Sequence, residues 1–196
     1  MNLPNKLTLA RFVLTVAFLV AMFLQFHYHE TVAVALFSFA SLTDYFDGKI
    51  ARRDNLITNF GVLMDPLADK ILICSAFIAF VGLGWMAAWM VVVIVARELA
   101  ITGLRLLAAS KQQVLAAEGY GKHKTISQIV AIIAVLVAHS YREWGDVGRA
   151  IFGFNLFGAP WVEWFVPLAI WVAVTLTFVS GWLYLWRNRQ LYLEDL

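Results

Sequence analysis

The stretch DYFDGKIARRDNLITNFGVLMDPLADK, residues 44–70, closes one apolar segment and opens the next, and it carries Asp44, Asp47, Asp65 and Asp69. The first pair is spaced by three residues and the second by four, so on helices each pair lies on one face. If the two segments pack side by side across the short link, four carboxylates converge at a membrane edge. Bare carboxylates in a partly desolvated space repel one another and hold their protons unless a cation lies between them. An all-oxygen donor set favours a hard ion, magnesium or manganese over zinc, and a pair of such ions suits a displacement at phosphorus. Gly48 and Gly61 remove side chains where a phosphate could approach the backbone, and the Arg52 fork suits a phosphate one turn beyond Gly48.

The sequence around this stretch is built for lipid. Of 196 residues, 62% are hydrophobic and 14% charged, with mean hydropathy +0.76, whereas soluble domains carry about 25% charge. Apolar runs predict an all-α, single-domain membrane bundle over residues 1–196. Its six spans are Leu7 to Phe26, Thr31 to Asp47, Gly61 to Val81, Trp85 to Ala108, Thr125 to Tyr141 and Trp161 to Trp186. The first run is too long for a secretory core and is expected to remain as a span. With a cytoplasmic amino terminus, Lys6, Arg11, Lys49, Arg52, Arg53, Lys70, Arg105, Lys111, Lys122, Lys124, Arg187 and Arg189 gather on the cytoplasmic side. Arg142 and Arg149 fall opposite, which places both termini in the cytoplasm. Trp161 and Trp164 open the last span and Trp182 and Trp186 close it, as interfacial rings do. Cys74, the sole cysteine, offers no disulfide, and a formal charge of +2 gives no reason to expect nucleic acid.

The pattern D-x-x-D-G-x-x-A-R, eight residues, then G-x-x-x-D-x-x-x-D is filled by Asp44, Asp47, Gly48, Ala51, Arg52, Gly61, Asp65 and Asp69. It resembles the signature of the CDP-alcohol phosphatidyltransferases at every fixed position. The resemblance implies a six-helix, usually dimeric enzyme of the bacterial inner membrane that moves a phosphatidyl group from CDP-diacylglycerol to an alcohol and releases CMP. It further implies that Asp44 and Asp65 bridge two metal ions, magnesium with manganese as the alternative. Asp47 would bind one ion and Asp69 the other, with Asp69 also the base for the acceptor hydroxyl. Gly48, Ala51, Arg52, Thr58 and Gly61 would meet the CDP part of the donor. The segment NLPNKLTLAR is similar to the family's amino-terminal stretch and adds Asn5 and Thr8; without that likeness, Thr8 reads as a helix cap.

The acceptor is read from the fourth and fifth spans. Arg97 lies inside an apolar helix, where an unpaired charge is costly and faces a polar cavity. Arg105 follows eight residues later, and Lys122 and Lys124 enter from the next loop, which makes a candidate phosphate site. The competing reading treats Arg105 and the lysines as ordinary anchors and pairs Arg97 with Glu98. Adjacent residues on a helix point about 100° apart, which argues against that pair. ARELAITGLR (residues 96–105) and GKHKTISQ (residues 121–128) resemble the branch of the family that makes phosphatidylglycerophosphate, which implies sn-glycerol 3-phosphate as acceptor.

Two rivals stay open. A transferase of the cardiolipin type would use another alcohol, but an uncharged hydroxyl leaves a buried Arg97 without a purpose. A cation transporter could use the four aspartates alone, yet an ion path has no need of Gly48, Arg52 and Gly61. His27 and His29 in FHYHE read as an interfacial turn and His123 as a solvated loop residue.

Overall fold

The computed structural model describes residues 3–53, 59–113, 115, 120–156 and 158–193. Only the backbone is described at 3–5, 7, 44–53, 59–63, 65–66 and 120–122. Each of the six expected spans is a helix: α1 (Leu3–Phe23), α2 (His29–Arg53), α3 (Asn59–Gly82), α4 (Ala88–Ser110), α5 (Tyr120–Ser140) and, after a short α6 (Gly145–Phe152), α7 (Trp161–Arg187). A 3-10 turn at Tyr141–Trp144 joins α5 to α6, a two-residue antiparallel pairing of Asn155–Leu156 with Ala159–Pro160 precedes α7, and α8 (Gln190–Leu193) follows it.

The long helices form a closed ring. In order around it α1 packs on α2, α2 on α5, α5 on α7, α7 on α4, α4 on α3, and α3 returns to α1, while α3 also touches α5 across the middle. The expected side-by-side packing of α2 and α3 is therefore a minor contact, because α1 lies against both. Small residues let the backbones approach, with Ala33, Ala40 and Ala76 at 0% exposure among the fully buried rings of Phe18, Phe37, Phe77 and Phe80. Phe18 of α1 meets Phe37 of α2 at a ring separation of 5.7 Å.

The outer surface is apolar as well. Val13, Val16, Val92, Leu99, Leu106, Leu168, Trp171 and Phe178 are all more than half exposed, a surface that water penalises and lipid does not. Among the described residues, the helical stretches His123–Phe152 and Trp161–Arg187 are long and apolar enough to cross a membrane, and Thr8–Phe23 is a shorter apolar helix. In α4 the run is interrupted by Arg97, Glu98 and Arg105, so the residues that make the candidate site are also those that lower its hydropathy.

The bundle has two chemically different ends. At one lie the start of α1, the end of α4 and the start of α5, and Lys111 of α4 donates to the Leu191 carbonyl of α8 at 2.9 Å, so both described chain ends belong there. At the other end Thr31 is clamped by the 3-10 turn: its backbone N–H donates to Glu143 Oε2 at 3.0 Å and its hydroxyl accepts from Trp144 Nε1 at 2.8 Å. Trp85 stacks on His139 with centroids 3.6 Å apart. His27 packs edge-on against Tyr28, and Arg142 and Arg149 are exposed at this same end.

The 3-10 turn closes tightly enough to require glycine at 148, where an added Cβ would lie 2.0 Å from the Tyr141 carbonyl oxygen and 2.9 Å from Trp144 Cβ. Gly148→Ala is expected to destabilise the protein by about 1–3 kcal/mol, the usual cost of overpacking. Thermal unfolding in detergent should show a lower midpoint, and an unchanged midpoint would contradict this packing.

Candidate active site

Both aspartate pairs lie on helices. The backbone positions of Asp44 and Asp47 lie on α2 and those of Asp65 and Asp69 on α3, so each pair shares a helix face. The side chains of Asp44, Asp47, Gly48, Ala51, Arg52, Gly61, Asp65, Asn5 and Lys122 lie outside the described residues, and Thr58 lies outside them altogether. Asp69 is described. It forms an ion pair with Arg11 of α1, whose side chain is 1% exposed, while the Asp69 carboxylate is 38% exposed.

Arg11 is one of the basic residues expected on the cytoplasmic side, and its side chain is buried inside the bundle against Asp69. The buried charge is tolerated because a carboxylate faces it. Thr15, one turn on, donates its hydroxyl to the Arg11 carbonyl at 2.8 Å, and Thr8, one turn before, is fully buried. Since α1 already runs from Leu3, Thr8 is an interior residue of the helix and not its cap.

The second charged group begins at the next residue of α3. Lys70 donates to the Thr102 hydroxyl of α4, and that hydroxyl donates to the Glu98 carbonyl at 2.7 Å. Glu98, with a side chain 9% exposed, accepts through a single oxygen, Oε1, from Lys124 Nζ of α5 and from Arg97 Nη1 at 3.2 Å. Adjacency on one helix therefore does not keep Glu98 from Arg97, because both side chains are long enough to bend toward each other while Glu98 also receives Lys124 of α5. Lys122 and Lys124 lie on α5 and not in a loop, since that helix already begins at Tyr120; His123 beside them is exposed. Arg105 is exposed at its own level and sets its guanidinium 5.8 Å from the centre of the buried Tyr184 ring. Lys70 lies close enough to feel Glu98, Arg105 and Arg97 electrostatically, and Cys74, half-buried one turn along α3, feels Glu98, Lys124 and Lys70.

On the far side of this cluster, α7 supplies room. An added Cβ at Gly181 would lie 2.5 Å from Arg97 Cγ, so the arginine stem runs directly over the glycine. Gln128, one turn beyond Lys124 on α5 and fully buried, donates through Nε2 to Thr177 Oγ1 of α7 at 2.9 Å. Arg11, Glu98, Lys70 and Gly181 were not singled out as site residues. Arg11 and Glu98 carried one available signal, a charge within an apolar run.

Gly181→Ala is expected to push the Arg97 stem aside at a cost of about 1–3 kcal/mol. The same substitution in an Arg97→Ala background should cost less than half as much, because the obstructed side chain is gone. Equal costs in the two backgrounds, read from unfolding midpoints, would contradict the close approach of α4 and α7.

Comparison with known proteins places this geometry. A model of the CDP-alcohol phosphatidyltransferase family matches residues 1–179. The CDP-diacylglycerol–glycerol-3-phosphate 3-phosphatidyltransferase of Bacillus subtilis (strain 168) is 43% identical over 201 residues, covering 96% of this chain and 96% of that protein. Proteins of the same name from Cereibacter sphaeroides and Rickettsia felis are each 31% identical, the first over 99% of this chain and 98% of its own length, the second over 93% of both. With the family's match spanning nearly all of its length, the chain belongs to the CDP-alcohol phosphatidyltransferases.

Proposed function

We propose that this protein transfers the phosphatidyl group of CDP-diacylglycerol to sn-glycerol 3-phosphate, giving phosphatidylglycerophosphate and CMP. The names of its relatives support both substrates. The observation that carries the reading is the cationic cluster of α4 and α5, to which Lys70 of α3, the residue after Asp69, is joined through Thr102. Arg97 and Lys124 share the one carboxylate of Glu98, Lys70 is tied to the Glu98 backbone through Thr102, and this surplus of positive charge suits a dianionic phosphate.

In this reading Arg97, Arg105, Lys122 and Lys124 hold the acceptor phosphate, and the acceptor's primary hydroxyl is brought to Asp69. Asp69 takes the hydroxyl proton as the oxygen attacks the phosphorus that bears diacylglycerol, and the bond from that phosphorus to CMP breaks. Asn5, Thr8, Gly48, Ala51, Arg52, Thr58 and Gly61 line the donor side. The family works with divalent metal ions. Two magnesium ions held by Asp44, Asp47, Asp65 and Asp69, with manganese as substitute, would supply neutralising charge at the diphosphate and at departing CMP. Arg11 holds the Asp69 carboxylate from the α1 side. All six long helices cross a bacterial inner membrane in this account, with both termini and the site cytoplasmic, and the enzyme works as a homodimer among membrane lipids.

Purified protein with CDP-diacylglycerol, magnesium and a panel of alcohols tests the assignment through CMP release. Release with glycerol 3-phosphate and not with glycerol is expected. Equal use of the two alcohols would remove the phosphate site. Asp44→Asn, Asp65→Asn and Asp69→Asn should each abolish turnover in protein that still folds and inserts, and near-normal release from any of them would exclude the two-metal mechanism.

Acceptor binding should separate from donor chemistry. Losing one cation from a desolvated phosphate site costs about 2–5 kcal/mol. Arg97→Ala or Lys124→Ala is accordingly expected to raise KM for glycerol 3-phosphate by roughly 30-fold or more, at about 1.4 kcal/mol per tenfold, and Arg105→Ala, at an exposed side chain, to raise it less, all with little change for CDP-diacylglycerol. Weakened donor binding alone would mean that these residues serve the other substrate.

A further inference from the structure

Glu98 is an unexpected residue to find here. A carboxylate within a phosphate-binding cluster competes with phosphate for the same donors, and its own charge repels a dianion. Its side chain is nonetheless 9% exposed, between Arg97 at 13% and Lys124 at 7%, so all three charges are withdrawn from water together. Two buried cations this close repel each other, and a buried lysine without a carboxylate readily sheds its proton. One carboxylate oxygen shared between them removes both difficulties while leaving the trio with net positive charge.

The shared oxygen also leaves donors unspent. Lysine offers three N–H groups and arginine five, and the contacts to Glu98 occupy one of each. Arg97 Nε is buried and has no hydrogen-bond partner among the described residues, a state that a bound acceptor oxygen would relieve. The backbone of Glu98 is tied in the other direction. Its carbonyl accepts from Thr102, whose hydroxyl accepts from Lys70, the neighbour of Asp69 on α3. One residue thus touches, directly or through Thr102, charged side chains of α3, α4 and α5.

We propose that Glu98 is a positioning residue for acceptor recognition: its buried carboxylate holds Arg97 and Lys124 as one cationic unit, and its backbone, through Thr102 and Lys70, sets that unit's distance from Asp69. The inference rests on the acceptor reading given above. Glu98 touches the cations and not the substrate, so its loss shows in acceptor affinity before it shows in the chemical step.

The test uses the full chain in detergent with magnesium, CDP-diacylglycerol and glycerol 3-phosphate, reading CMP release. Glu98→Gln is expected to raise KM for glycerol 3-phosphate at least tenfold, with KM for CDP-diacylglycerol within twofold and kcat at saturating acceptor within threefold of the starting protein. Glu98→Asp, which keeps the charge, should recover part of the loss. Adding Glu98→Gln to Lys124→Ala should cost no more than a further twofold, because the residue acts through the lysine. Thr102→Val alters no charge and guards against a Glu98 variant that does not fold; it should raise the same KM at least threefold. An acceptor KM unchanged or lowered in Glu98→Gln, a loss confined to kcat, or full additivity with Lys124→Ala would overturn the proposal. Failure of the underlying reading is separately visible, since the unaltered protein would then release no CMP with glycerol 3-phosphate.

Discussion

The ion pair between Arg11 and Asp69 is the contact on which the arrangement of the site depends. A guanidinium at 1% exposure inside an apolar bundle is tolerable only against a carboxylate, and removing Asp69 would leave that charge buried and uncompensated. Because Arg11 belongs to α1 and Asp69 to α3, the pair fixes the helix that lies against both aspartate-bearing segments. The packing of Phe18 on Phe37, with the small buried Ala33 and Ala40 of α2, then brings α2 in on the other side of α1. Stability and site geometry are thus set by the same charge.

The same constraint recurs one residue along α3. Lys70 reaches away from α1 to Thr102 of α4, and from there the polar contacts continue to Glu98 and across to Lys124 of α5. Asp69 and Lys70 point to different halves of the ring, one toward α1 and the aspartate helices, the other toward the cationic helices. In the proposed function this divides donor and metal chemistry from acceptor recognition, with the two meeting at adjacent residues. Apolar side chains can slide with little penalty in lipid, whereas each of these buried charges is costly when displaced, and that difference gives the bundle a defined register.

Much of this was legible before any coordinates. Apolar runs marked six helices, because a segment that must satisfy its own backbone in hydrocarbon has few alternatives to a helix. The aspartate pairs were legible because their spacing is local to one helix each. What escaped was set by neighbours. Arg11 read only as one of the basic residues of the cytoplasmic side, since nothing in its own segment shows that Asp69 will stand opposite. Glu98 read as unable to reach Arg97, since the 100° step between adjacent residues describes where side chains start and not where long ones end. Lys124 read as a loop residue because the apolar run begins only at Thr125, whereas α5 already begins at Tyr120 and Glu98 of α4 receives the lysine's charge. The order of helices around the ring, with α1 in the place where α2 was expected beside α3, depends on contacts between segments that no single segment encodes.

The central claim is that the end of the bundle bounded by α2 and α3 holds two metal ions on four aspartates, with Asp69 shared between an ion and the acceptor. Anomalous diffraction from crystals grown with manganese and CDP-diacylglycerol tests it most directly. Two manganese peaks are expected between α2 and α3, with the Asp69 carboxylate on one of them. A single peak, peaks placed away from these helices, or an Asp69 carboxylate that approaches neither ion would contradict the account.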